Sequence, residues 1–171
     1  MTASAEGDDM KNTMIVAAAA SLLAACAGYA PPSDMRAGMT EAEVVQAMGP
    51  PTGRYQLPEG PVRLEFARGP YGRHTYMVDL DAQGRVLKWD QVLDRRYFEA
   101  VTPGITSEQL LRFIGRPSER MGMMRNGQIW SWRYYNNDCL WWQAQLNAEG
   151  VITAAGYASA PGCDGREADR R

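Results

Sequence analysis

GMTEAEVVQAMGPP at residues 38–51 returns as GITSEQLLRFIGRP at residues 104–117, 66 positions later. The offset pairs Gly38 with Gly104, Thr40 with Thr106, Gly49 with Gly115, Pro51 with Pro117 and Arg54 with Arg120. Without a gap, it also sets LDAQGRV from Leu80 over LNAEGVI from Leu146. A register held across most of a unit predicts two copies of one structural element. Each copy opens with a short helix whose ends are legible. Thr40 and Glu43 have the spacing of a capping box, as do Thr106 and Gln109. Met39 with Val44, and Ile105 with Leu110, have the spacing of a hydrophobic staple. Gly49 and Gly115 can end the helices, and the following prolines stop them from resuming.

Downstream of each helix the period changes to two. Leu64 and Phe66 alternate with Arg63, Glu65 and Ala67, which predicts a half-buried strand. Tyr76, Val78 and Leu80 do the same, and Ala82-Gln83-Gly84 is a tight turn into a return strand at 86–93. A shorter strand is expected at 54–57, and copy two has a helical entry at 96–101. Trp130 and Trp132 stand where copy one has Leu64 and Phe66, and Trp142, Ala144 and Leu146 replace Tyr76, Val78 and Leu80. The fold class is therefore α+β: two tandem units, each a short helical segment followed by an antiparallel β-meander of three or four strands. Identical spacing and a short connection suggest that the meanders lie side by side as one extended sheet, helices on one face and the other open. On copy two that open face would present Ser131, Arg133, Tyr135, Trp141 and Gln143.

The chain has 171 residues and a net charge of −2, so nothing points to nucleic acid. Residues 14–25 form an apolar run after Lys11, too short to span a bilayer and typical of an export signal. Glu6, Asp8 and Asp9 do not suit a signal, which places the expected start at Met10. The run ends in Leu23-Ala24-Ala25-Cys26, which resembles a bacterial lipobox. That resemblance implies cleavage before Cys26, lipidation of its thiol with palmitate among the acyl chains, and, with Ala27 next, sorting to the outer membrane. The expected layout is a signal peptide at 1–25, a lipidated tether at 26–35, repeat 1 at 36–95, repeat 2 at 96–165 and a disordered polar tail at 166–171. Cys139 and Cys163 remain; in an exported protein they are expected to form a disulfide, free thiols being the alternative.

The helix motif and the run at 93–117, with Phe98, Val101, Pro103, Gly104, Ile105 and Thr106, resemble the SmpA/OmlA (BamE-like) outer-membrane lipoprotein domain. Duplication departs from that single-domain type. A tandem of two such units is similar to the architecture of β-lactamase inhibitor protein, in which two helix-plus-sheet repeats face a target. The first resemblance implies a lipid-anchored periplasmic interaction module in outer-membrane assembly or envelope integrity, with β-barrel assembly components as partners. The second implies a periplasmic inhibitor or sensor that covers a soluble target.

Neither reading is enzymatic, and no catalytic residue, metal ligand or cofactor is expected. His74 is the single histidine, so a histidine-based metal site or triad lacks members. It reads as a solvated loop residue. Asp79 and Asp81 read as solvent-face alternation. Two features suit a protein or lipid partner. Arg63, Arg68 and Arg73, with His74, form a local basic cluster, either a binding patch or a solvated face. The aromatic group Trp130, Trp132, Tyr134, Tyr135, Trp141 and Trp142 either exposes anchors, with Trp141, Tyr135 and Arg133 on the open face, or is covered by a helix on one face and the other copy on the second.

Overall fold

The computed structural model describes residues 33–161. The expected signal peptide, Cys26, Cys163 and the 166–171 tail lie outside that range. The duplication is visible as geometry. Helix α1, Glu41–Met48, is followed by strands β1, Gly53–Gln56, β2, Val62–Arg68, β3, His74–Leu80, and β4, Val86–Gln91. A linking helix α2, Arg95–Glu99, leads to α3, Ser107–Ile114. Then come β5, Glu119–Gly122, β6, Gln128–Arg133, β7, Leu140–Leu146, and β8, Ile152–Ser159. The meanders are two separate four-stranded antiparallel sheets, β1–β4 and β5–β8.

The 66-residue register holds to single hydrogen bonds. Thr40 and Thr106 each form a complete capping box. Gly49 and Gly115 end the helices at φ 75° and 80°, conformations that only glycine adopts cheaply. The Gly38 N–H donates to the Val86 carbonyl at 2.8 Å, and the Gly104 N–H to that of Ile152 at 2.8 Å. The Glu41 and Ser107 N–H groups donate to Gly84 and Gly150 at 2.9 and 2.7 Å. Each helix is thus tied at its start to the turn between the last two strands. Even the strand irregularity recurs, at Asp79/Leu80 and at Gln145/Leu146.

Each helix buries its apolar side against its own sheet. Val44 and Met48 pack with Leu64, Phe66, Tyr76, Val78, Leu80 and Val86. Leu110 and Ile114 pack with Trp130, Trp132, Trp142, Ala144, Leu146 and Ile152. The expected substitutions of Trp for Leu and Phe fall inside this second core. Phe98 of α2 stacks on Trp142 at 4.9 Å between ring centroids, 8° from parallel, and the Trp132 indole donates to the Gly115 carbonyl at 3.1 Å.

The two meanders do not form the expected extended sheet. Copy two is stacked on copy one. Met77, on the side of sheet 1 away from α1, joins the core around Leu110 and Ile114. The order of layers is α1, sheet 1, α2 with α3, sheet 2. The stacking is held by polar groups that alternation alone assigned to solvent. Glu65 is fully buried. Its carboxylate accepts from the Tyr55 hydroxyl at 2.5 Å, the Thr52 hydroxyl at 3.3 Å and the Arg116 backbone N–H at 3.2 Å. Burial, reinforced by the hydrogen bond to Glu65, pushes the Tyr55 phenol well above its usual range. Asp79 is also buried, against expectation. It accepts a bidentate pair from Arg63 at 2.6 and 2.8 Å, and Arg63 donates onward to the Arg112 carbonyl of α3 at 2.9 Å. The pair with Asp79 raises the Arg63 guanidinium. Asp81 shares nothing with Asp79; it caps the turn, accepting from the Gln83 and Arg85 N–H groups.

Candidate protein-interaction surface

Stacking leaves one sheet face without a layer over it among the described residues. It is the side of sheet 2 away from α3. Residues directly opposed in an antiparallel pair share a face. The registers Glu119–Ser131, Met121–Ile129, Ser131–Gln143, Arg133–Trp141, Gln143–Gly156 and Trp141–Ala158 therefore define this surface. The expected open-face residues Ser131, Arg133, Trp141 and Gln143 are on it. Tyr135 is just beyond β6 and strongly exposed. Ser131 is buried in place, beneath Gln143, whose amide donates to its hydroxyl at 2.9 Å. A shallow groove of about 260 Å³ runs between Gln143 and Gln145 and over Ala154, Gly156 and Ala158.

Arg133 is the chemical centre of this face. Its guanidinium lies 3.8 Å from the Tyr71 ring centroid and 4.4 Å from that of Trp141. Two aromatic faces hold it by cation–π attraction and fix its plane. Tyr71 comes from copy one, in the 3₁₀ turn Pro70–Gly72 between β2 and β3. It adopts φ 62° and is 65% exposed. The Ser118 hydroxyl fixes it by donating to the Tyr71 carbonyl at 2.8 Å, and the same oxygen accepts from the Arg133 N–H at 3.0 Å. Beside this stack, His74 and Tyr135 place their rings 6.0 Å apart, again across the two copies. Burial and then the charge of Arg73 hold the His74 imidazole below its ordinary value. His74 is the first residue of β3 and half-buried, not the solvated loop residue expected. Tyr71 was not singled out from the sequence. A lone tyrosine between Gly69-Pro70 and Gly72 carries no periodicity signal.

The expected basic cluster does not assemble. Arg63 points between the copies onto Asp79. Arg68 lies on the opposite side of β2, its guanidinium 5.3 Å from the Phe66 ring centroid, and burial lowers its pKa. Arg73 is exposed beyond the 3₁₀ turn. Arg73 and His74 follow Tyr71 in sequence, and Arg68 is paired with His74 in register. Cys139 sits at φ 51° at the end of the β6–β7 turn. The Asn136 side chain organises that turn, accepting from the Asp138 and Leu140 N–H groups at 3.0 and 3.1 Å.

Among the described residues, no group of three or more His, Cys, Asp or Glu side chains is placed to hold a metal ion. No helix there is long and apolar enough to cross a membrane. A larger cleft of about 550 Å³ lies where the copies meet, lined by Tyr55, Leu111, Arg116, Pro117, Ser118, Glu119 and Arg120. The open face of sheet 2 has the make-up of a protein interface: aromatic and arginine anchors, amides and small residues.

No family model matches the chain, and no curated protein matches it significantly. Among solved structures it is similar to one from Streptococcus mutans described as "putative beta-lactamase inhibitor protein". That similarity covers 74% of this chain and 86% of the other at 10% identity, with a TM-score of 0.33.

Proposed function

We propose that this protein is a non-enzymatic interaction module that captures a protein partner on the open face of sheet 2. The observation that carries the reading is Arg133, held between Tyr71 and Trp141 on the one sheet face left uncovered among the described residues. An arginine flanked by aromatics at the centre of a mixed surface is the usual make-up of an energetic hot spot. In the same proposal, Cys26 is lipidated and anchors the module in the outer membrane facing the periplasm, and Cys139 pairs with Cys163. The lipobox and the SmpA/OmlA-like motif support a place in outer-membrane assembly or envelope integrity. Capture of a soluble periplasmic protein in place of β-barrel assembly components would favour the inhibitor reading.

The test is Trp141→Ala, in a pull-down titration beside a thermal melt. Trp141 packs on Arg133 at the surface, outside both cores, so the variant should melt close to wild type. Losing a central interface tryptophan should weaken capture roughly 30-fold, the equivalent of about 2 kcal/mol. Normal capture by a normally melting variant would refute the reading. Cys26→Ser, followed by fatty-acid labelling and membrane fractionation, tests the anchor separately.

A further inference from the structure

Resting on that reading, we infer the class of partner: an amphipathic α-helix bearing an acidic side chain, seated on sheet 2 as α3 is seated on sheet 1. The repeat itself supplies the argument. The 66-residue register sets the two outward faces over one another. Tyr55 corresponds to Met121, Arg63 to Ile129, Glu65 to Ser131, Ala67 to Arg133, Thr75 to Trp141, Met77 to Gln143 and Asp79 to Gln145. In copy one this surface receives a helix. Met77 enters the core of α3, Arg63 bonds the Arg112 carbonyl in its last turn, and Glu65 bonds the N–H of Arg116 just beyond it. The same backbone surface is repeated at sheet 2, with its twist and strand register, and has no such layer among the described residues.

Its side chains specify the occupant. In copy one the surface carries buried acids: Asp79, paired with Arg63, and Glu65, which accepts from Tyr55, Thr52 and the Arg116 backbone N–H. In copy two those acids become Ser131 and Gln145, and a cation, Arg133, takes the place of Ala67. Among the described residues Arg133 makes no ion pair. Glu119, on the same face across from Ser131, is more than 4.0 Å from it. The guanidinium packs against two rings with its Nε buried and unpartnered, which leaves the terminal nitrogens for a carboxylate. The repeat thus sets the shape of the occupant, a helix, and Arg133 sets its charge, an acid brought to the guanidinium.

A second copy of this chain does not supply that helix. The exposed residues of α1 are Ala42, Glu43, Gln46 and Ala47, and the Glu43 carboxylate is held by the Thr40 N–H and hydroxyl in the capping box. At the positions of Ala42, Gln46 and Ala47, α3 carries Glu108, Arg112 and Phe113, and Phe113 packs into the interface core. Helix α1 therefore lacks the apolar anchor, and its exposed acid is already engaged in its own capping box.

The experiment places a photo-crosslinking residue at Met121 or Gln145 of the full-length protein in intact producing cells. Crosslinked residues are then mapped by mass spectrometry. The expected adducts fall within one partner helix at spacings of three and four residues, with an Asp or Glu on the same side. Arg133→Glu, checked by thermal melt, should reduce crosslinking at least tenfold, and a partner acid-to-Arg change should restore it. Adducts alternating every second residue of the partner, or adducts on a second copy of this chain, would overturn the helix inference while leaving the open face as the capture surface; adducts on lipid alone would overturn both. No adducts from either position would overturn both.

Discussion

The outward faces of sheet 1 and sheet 2 occupy the same position in the repeat, yet one is interior and the other is surface. On sheet 1, Glu65 and Asp79 are almost free of solvent and satisfied by partners on the neighbouring strands or on copy two. On sheet 2, Gln143 and Gln145 bound an open groove. A buried carboxylate is tolerated only where hydrogen bonds and paired charges replace its water. Copy one meets that condition chiefly from its own side chains, Arg63 on Asp79 and Tyr55 with Thr52 on Glu65, and copy two adds the Arg116 N–H just past α3. Copy two has no such layer among the described residues and carries neutral amides instead. The difference teaches that a polar face in an alternating strand is not by itself a solvent face.

The comparison can be broken most sharply at the glycines that end α1 and α3. Gly49 and Gly115 share φ near 80°, so an alanine is strained by a similar amount at either. Around Gly49 an added Cβ would meet nothing within 4 Å. At Gly115 it would lie 3.0 Å from both the Glu65 carboxyl carbon and the Thr75 Cγ2. Gly115→Ala should therefore cost about 2 kcal/mol more than Gly49→Ala, the strain cancelling in the difference. Chemical denaturation of both variants measures it. Equal losses would mean that copy two does not press on sheet 1.

Met77 and Gln143 give a second contrast of similar size. Met77 is 3% exposed within the interface core. Met77→Ala should cost about 2–3 kcal/mol by leaving a cavity. Gln143→Ala removes only the hydrogen bond to Ser131 and should stay within about 1 kcal/mol of wild type. The same denaturation series reads both. A large loss at Gln143 would mean that sheet 2 is covered in the free protein.

What was legible in the sequence follows this same division. Both capped helices, Glu41–Met48 and Ser107–Ile114, and the Trp-for-Leu and Trp-for-Phe replacements were readable because each is a local or repeated signal. The stacking of copies was not. It depends on Arg63 reaching the Arg112 carbonyl and on Glu65 reaching the Arg116 N–H, contacts 49 and 51 residues apart that no period encodes. Half of the candidate site was legible. Alternation placed Arg133 and Trp141 on one face, but the Tyr71 ring comes from a loop of the other copy at a left-handed φ. Arg63 was misplaced for the same reason as Glu65.

The smallest expected effect is on pH dependence, where β3 and β7 differ at their first residue. His74 begins β3, and Leu140, which cannot titrate, begins β7. Burial and the adjacent Arg73 hold the His74 imidazole below its ordinary 6.5. Between the folded value and 6.5, the unfolded chain therefore binds more protons than the native one. Stability then rises with pH in that window; the contribution is full above 6.5 and is lost as pH falls toward the folded value. His74→Gln should flatten the melting midpoint against pH between neutrality and about pH 5, above the range where carboxylates titrate. A Leu140→Gln control should leave the slope unchanged. Because His74 stacks on Tyr135 at the rim of the open face, the histidine effect should also appear in capture. If His74→Gln kept the wild-type slope, the imidazole would be fully solvated and the contact between His74 and Tyr135 would not hold the copies together at that rim.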